Sequence, residues 1–149
     1  VRRDHVGMMD GRAAGELIVA TAERWVADPD SDVVWSDDYE GRRAVRMRQT
    51  VRDVTTVWFT IGQRTVTIEA FVLPLPDDAP GGAIAHLLHR NYRTRRLHFA
   101  LDLRNDLVIT GRIPLEELSE HELELALGEV YDLIEVSFRP LLAALRPGD

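Results

Sequence analysis

Apolar residues recur at helical spacing near the start of the chain, in residues 12–27. Leu17, Ile18 and Trp25 fall on one side of a helix drawn through this stretch, and charged residues fall largely on the other. The pattern predicts an amphipathic helix that ends near Pro29, because proline cannot continue a helix from its interior.

From Ala44 onward the apolar residues alternate with polar ones, as they do in strands. The segments AVRMRQTV, VTTVWFTI and RTVTIEAFVL are rich in β-branched and aromatic residues, which predicts three strands. Gly62 suits the first position of a two-residue type II′ turn between the last two of them. Such a turn sets Phe59 opposite Val66 and makes that side of the sheet the core face.

Trp58 and Phe71 fall on the other face of these two strands. The predicted register pairs Trp58 with Thr67 and leaves Phe71 diagonally nearby, among threonines and a glutamate. Two large aromatic side chains on a polar face predict a cover, which is either a helix of this chain or a partner chain.

Residues 83–92 return to helical spacing, and LHFALDL and LVITGRI then alternate as two more strands. A three-residue loop at residues 104–106 would set Leu101 opposite Ile109. In that register both apolar rows lie on the same face of the sheet.

The last element is a long helix whose start is marked by a capping box. Ser119 and Glu122 have the S-x-x-E spacing, and Leu118 before the cap can pack on Leu123. Pro140 is expected to kink or end this helix, since proline lacks a backbone donor and clashes with the preceding turn.

Residues 28–40 contain six acids and no base. We interpret this segment as a solvated acidic loop, with a short strand at VVW as the alternative. Its opening is similar to an EF-hand loop, but Val33 and Tyr39 stand where that loop needs glycine and glutamate, which argues against calcium binding.

The order of elements is therefore α-βββ-α-ββ-α, which predicts a single α+β domain with helices packed on an antiparallel sheet. We expect residues 1–11 to be a flexible N-terminal extension and residues 12–146 to form the domain. No run of apolar residues is long enough for a membrane span, and the start has no apolar signal core, so we expect a cytoplasmic protein.

Composition removes several kinds of chemistry. The chain has no cysteine, and all 18 of its basic residues are arginine. Disulfides, thiolate nucleophiles, Schiff bases and the lysine of a P-loop are therefore excluded. The net charge of -7 argues against general attraction to nucleic acid.

The stretch HLLHRNYRTRRLHF, residues 86–99, is basic and rich in histidine. A zinc site at His86, His89 and His98 is disfavoured, because the arginines at 90, 93, 95 and 96 would repel a dication. The arginines favour an acidic neighbour instead. Contact with nucleic acid through residues 90–96 is an alternative hypothesis.

Catalysis finds little support in the sequence. The four serines form no G-x-S-x-G motif, and Ser119 is already assigned to a helix cap. Glu69 is an acid on a strand, for which an exposed sheet position is the simpler interpretation. We predict no catalytic residues, no metal and no cofactor, with a hydrolytic or metal-dependent enzyme as the remaining alternative.

The stretches TTVWFTIGQRTVTIEAFVLP, LLHRNY, HFALD and ITGRIPLEELSEHELELAL resemble the bacterial YbjN-like domain family over roughly residues 12–146. The resemblance implies a fold similar to class I type III secretion chaperones and a role as a sensory-transduction regulator, with no catalytic residues to carry over. The absence of lysine is also typical of a GC-rich, actinobacterial-type genome.

We therefore expect a non-catalytic, homodimeric module that binds an unidentified protein segment as a chaperone-like or regulatory adaptor. The candidate interaction residues are two aromatic side chains and four arginines: Trp58, Phe71, Arg90, Arg93, Arg95 and Arg96.

Overall fold

The computed structural model describes residues 9–146. Residues 1–8 of the predicted N-terminal extension lie outside this range. The elements, in chain order, are α1 (Gly11–Ala27), β1 (Val33–Tyr39), β2 (Arg42–Arg48), β3 (Val54–Ile61), β4 (Thr65–Pro74), α2 (Gly81–Arg93), β5 (Leu97–Leu101), β6 (Asp106–Pro114), a 3-10 turn (Leu115–Glu117) and α3 (Glu120–Leu145).

The six strands form one antiparallel sheet in the order β1-β2-β3-β4-β6-β5. Alternate strand residues and the apolar sides of the three helices meet in a single core. The predicted α+β domain is thus confirmed. Buried side chains from both layers include Ile18, Phe59, Ile68, Ile109 and Ile134.

Only residues 28–32 of the acidic segment form a loop, and the alternative of a strand that begins at VVW is correct, although the strand is longer than predicted. Residues 33–39 pair with β2 as strand β1, so the sheet has six strands rather than five. A two-residue turn joins β1 and β2, with φ of 52° at Glu40 and 82° at Gly41. Positive φ at both turn residues matches a type I′ turn, whose twist suits a tight hairpin. The acids therefore line an edge strand, where charge discourages unwanted strand pairing.

The β3–β4 hairpin has the predicted loop length at a different position. Gly62 donates its N–H to Thr65 at 2.8 Å, so the two loop residues are 63–64. Gly62 does not have a positive φ, and the predicted type II′ turn is wrong. Phe59 consequently pairs with Ile68 rather than with Val66.

A similar shift occurs in the β5–β6 hairpin. Its three-residue loop is 103–105, one position earlier than predicted, and Leu101 pairs with Leu107 instead of Ile109. The Asp102 carboxylate accepts the N–H groups of Arg104 at 2.8 Å and Asp106 at 3.0 Å. Asn105 follows with a φ of 62°. An Asx turn and a left-handed residue thus define this loop.

The predicted start of α3 is confirmed. Ser119 Oγ accepts the N–H of Glu122 at 3.0 Å, and Leu118 and Leu123 are both buried in the core. The second half of the capping box is not the role of Glu122, whose carboxylate binds Arg96 instead. Pro140 lies inside α3, which continues to Leu145, so the helix does not end there.

Two glutamates of α3 hold loops of the opposite layer. Glu129 accepts three consecutive backbone N–H groups, from residues 95, 96 and 97, at 3.2, 2.9 and 2.6 Å. Glu135 accepts the Gln49 side chain at 2.9 Å, the Thr50 N–H at 3.1 Å and the Thr50 hydroxyl. Each carboxylate therefore fixes the chain where it enters the sheet.

Candidate interaction surface

The face of the sheet that points away from the helices carries four aromatic side chains. Trp35, Tyr39 and Phe71 are 40%, 56% and 48% exposed, and Trp58 is half-buried. We call this surface the open face. The residues that strand alternation assigns to it include Trp35, Asp37, Tyr39, Arg42, Ala44, Arg46, Arg48, Trp58, Glu69, Phe71, His98, Asp106 and Arg112.

The two tryptophans of the open face are each covered on one side by an arginine. The guanidinium carbon of Arg42 lies 4.3 Å from the centre of the Trp58 ring, and that of Arg46 lies 4.8 Å from the Trp35 ring. Tyr39 approaches Trp58 edge-on with ring centres 5.8 Å apart. These contacts hold the rings and cations in fixed relative positions without removing them from solvent.

Phe71 is positioned from the helical side of the molecule. The sheet register shifts between Phe71 and Leu73, and Arg52 donates to the carbonyls of Phe71 at 2.8 Å and Val72 at 2.7 Å. Its guanidinium carbon also lies 5.1 Å from the Phe138 ring of α3. Burial lowers the pKa of Arg52. Arg52 therefore fixes the irregular segment of β4 that presents Phe71.

The arginines of residues 90–96 do not share the open face with Trp58 and Phe71. Arg96 binds Glu122 through two hydrogen bonds, of 2.6 and 2.9 Å. The hydrogen bond to Glu122 raises the pKa of Arg96, and the same bond lowers the pKa of Glu122. Arg90, Arg93 and Arg96 together line a cavity of about 410 Å³ between α2 and α3, away from Trp58 and Phe71. The six predicted interaction residues thus lie in separate regions.

Other parts of the basic stretch serve the scaffold. Asn91 donates its side-chain amide to the carbonyl of Phe99 at 3.0 Å and accepts the Phe99 N–H at 2.7 Å. Its amide thereby takes the place of a strand partner on the outer side of β5. Arg95 is exposed, although its N–H is bound by Glu129. Within residues 9–146, no three histidine, aspartate or glutamate side chains gather as possible metal ligands.

The half of the open face that β1 and β2 supply was not predicted from the sequence. Trp35 and Tyr39 were included in the acidic loop, and Arg42 and Arg46 were not singled out. The signal was present in VVWSDDYEGRRAV, where Trp35, Asp37 and Tyr39 alternate before a Glu-Gly pair that suits a hairpin turn. The concentration of acids obscured this pattern.

Comparison with known proteins identifies the family to which this α+β domain belongs. The family model named YbjN, described as "putative bacterial sensory transduction regulator", matches residues 19–143. The chain belongs to the YbjN family, which confirms the predicted resemblance.

Individual relatives come from mycobacteria and are themselves uncharacterised. A protein of Mycobacterium leprae is 34% identical over 88 residues, which cover 59% of this chain and 48% of the relative. A protein of Mycobacterium bovis is 30% identical over 83 residues, which cover 56% of this chain and 45% of the relative. The matched region thus spans about half the length of these relatives. No helix within the described residues is both long and apolar enough to cross a membrane.

Proposed function

We propose that this domain is a non-catalytic adaptor that binds a segment of a partner protein on its open face. The observation that carries the proposal is the group of four aromatic side chains, only half covered, on a sheet whose other face is packed against helices. Tryptophan, tyrosine and arginine are the residues most enriched where proteins bind one another tightly. The regulatory description of the family agrees with an adaptor.

The rigidity of the open face supports binding over catalysis. The ring positions are set by strand pairing and by arginine stacking, so little side-chain freedom is lost when a partner docks. Four groups with shifted pKa values, Arg52, Arg96, Glu122 and Glu135, are engaged in hydrogen bonds that hold the scaffold together. A preformed surface of this kind suits recognition of an existing partner segment.

Site-specific photo-crosslinking in the native host tests the proposal. A photoreactive phenylalanine analogue at Phe71 is expected to give a discrete adduct with another protein. The matched control is Leu103, which is fully exposed at the tip of the β5–β6 hairpin. Adducts that are the same from positions 71 and 103, or absent at position 71 although the variant is folded, would contradict an adaptor role for the open face.

The proposal includes a homodimer, which rests on the resemblance to secretion chaperones. That resemblance and the cytoplasmic location remain predictions. Light scattering at micromolar concentration is expected to give twice the mass of the chain. A monomer across that range would remove the dimer from the proposal while leaving the adaptor role to the crosslinking result.

A further inference from the structure

The charges of the open face differ from those of the chain as a whole. Four arginines lie on it, at positions 42, 46, 48 and 112, against three acids, Asp37, Glu69 and Asp106. The chain overall has a net charge of -7. Among the residues that the structure describes, none of these four arginines lies within 4.0 Å of a carboxylate oxygen. The face therefore offers unneutralised positive charge beside its aromatic rings.

Arg42 and Arg46 have the geometry to bind carboxylates. Each guanidinium is fixed against a tryptophan ring, at 4.3 and 4.8 Å, which leaves its N–H edge free to donate. A stacked guanidinium is already oriented for two parallel hydrogen bonds to one carboxylate. Because the two arginines are four residues apart on one strand, their Cα atoms are separated by about 13 Å.

The position between these arginines is small and apolar. Ala44 is buried and lies between Asp37 of β1 and Trp58 of β3 in the row across the sheet. Because its neighbours already cover Ala44, which is 1% exposed, an apolar side chain of a partner would lie against the half-buried Trp58 ring beside it. A carboxylate or phosphate at this point would instead face Asp37, and Glu69 lies on the far side of Trp58.

Resting on the proposed function, we infer that the partner segment is extended and acidic, with the pattern acid-x-apolar-x-acid. In a strand, residues i, i+2 and i+4 point to the same side and span about 13 Å. The two acids then reach Arg42 and Arg46, while the apolar residue lies against the Trp58 ring in the row between them. A nucleic acid strand fits this arrangement less well, because its phosphates are evenly spaced and one would fall beside Asp37.

Synthetic peptides of about nine residues, long enough to follow one strand, test this inference with the full chain. The probe contains E-T-L-T-E, and the matched peptides contain Q-T-L-T-Q or move the second glutamate to give E-T-E-T-L. Binding is followed by the fluorescence of Trp35 and Trp58 and by calorimetry. We expect the probe to bind at least about tenfold more tightly than either matched peptide. That ratio corresponds to a difference of about 1.4 kcal/mol in binding free energy.

Protein variants locate the contact. The double change Arg42→Gln and Arg46→Gln is expected to weaken the probe about tenfold, without changing the affinity for the Q-T-L-T-Q peptide. The control is Arg12→Gln with Arg104→Gln, which removes the same charge from exposed positions on α1 and the β5–β6 loop. That control should leave the affinity for the probe unchanged.

Several results would overturn the inference. Equal affinity for the acidic and neutral peptides would show that the open face does not select acids, and the crosslinking result for Phe71 would still decide the proposed function. Tighter binding of a short single-stranded RNA that is lost in the Arg42 and Arg46 variant would favour nucleic acid. Failure of all three peptides to bind would also count against it.

Discussion

Both faces of this sheet carry large aromatic side chains, but in different surroundings. Phe59 and Ile68 point inward and are sealed by the helices, whereas Trp58 and Phe71, on the same two strands, point outward. On the inner face apolar side chains touch other apolar side chains. On the open face the rings touch arginines and solvent. The comparison shows that stability and recognition are assigned to opposite sides of one layer.

The helix α3 is attached to the sheet through both apolar and polar contacts. Its apolar side supplies core residues such as Leu123 and Ile134, and its glutamates 129 and 135 bind loops at two entries to the sheet. Nothing comparable ties a structural element to the open face within residues 9–146. Changes on the inner face should therefore alter stability, and changes on the open face should alter binding.

The largest expected effect tests the difference between the inner face and the open face most directly. Phe59→Ala should lower the free energy of unfolding by about 3–5 kcal/mol, because it leaves a cavity in a packed core. Phe71→Ala should change it by no more than about 0.5 kcal/mol, since that side chain is 48% exposed. Urea denaturation followed by circular dichroism measures both. Similar losses for the two variants would mean that the open face is part of the folding core.

The Glu129 contact gives a smaller but specific effect. Glu129→Ala leaves three backbone N–H groups without their acceptor and should cost about 2–3 kcal/mol. Hydrogen exchange should become faster at Arg96 and Leu97 first. Glu124→Ala, an exposed position on the same helix, is the matched control and should be near neutral. Equal effects of the two changes would remove Glu129 from its structural role.

The faces of the strands could be predicted from sequence although the strand partners could not. Both hairpin loops have the predicted length but lie one residue from the predicted position. Moving a loop by one residue shifts the pairing by two, which leaves every side chain on its original face. Phe59 thus remained a core residue while its partner changed from Val66 to Ile68. Local features such as Asp102 and Asn105 decide the loop position, and the alternation of apolar and polar residues contains no information about them.

The open face was only partly predictable for a different reason. Trp58 and Phe71 follow from alternation within one hairpin, but Trp35 and Arg46 meet only when β1 pairs with β2. The roles of Arg96 and Asn91 also depend on contacts with distant parts of the chain, at Glu122 and Phe99. Charge patterns alone made the basic stretch seem to be one surface. Tertiary contacts divide it between scaffold and solvent.

Acid should weaken the attachment of α3 to the β2–β3 loop. Burial opposes ionisation of Glu135, but hydrogen bonds from Thr50 and Gln49 outweigh it, so its pKa lies below the ordinary value of 4.5. A lowered folded-state pKa stabilises the fold fully above pH 4.5, and this contribution is lost as the pH falls through the folded value.

Glu135→Gln should therefore reduce stability at pH 7 and flatten its decline below pH 4.5. Because the carboxylate is partly exposed, the variant should lose less unfolding free energy than the wild type over the acid range, by about 1 kcal/mol or less. Denaturation curves at several pH values measure it, with Glu124→Gln as the charge control. An identical decline in the wild type and the Glu135 variant would show that this contact is not linked to pH.

The smallest expected effect concerns a contact within the open face, between Arg46 and Trp35. Arg46 stacks on Trp35 at 4.8 Å in an exposed position, where such a contact contributes about 0.5–1 kcal/mol. A double-mutant cycle with Arg46→Gln and Trp35→Ala should give a coupling energy of that size. The control is a cycle that pairs Trp35 with Arg112, which should be additive because those residues lie on distant strands. A coupling well above about 1 kcal/mol would mean that the stack stabilises the fold, and the division of labour between the two faces would then be incomplete. With the expected small coupling, the arginine remains available to a partner, since little stability is lost when its contacts are exchanged.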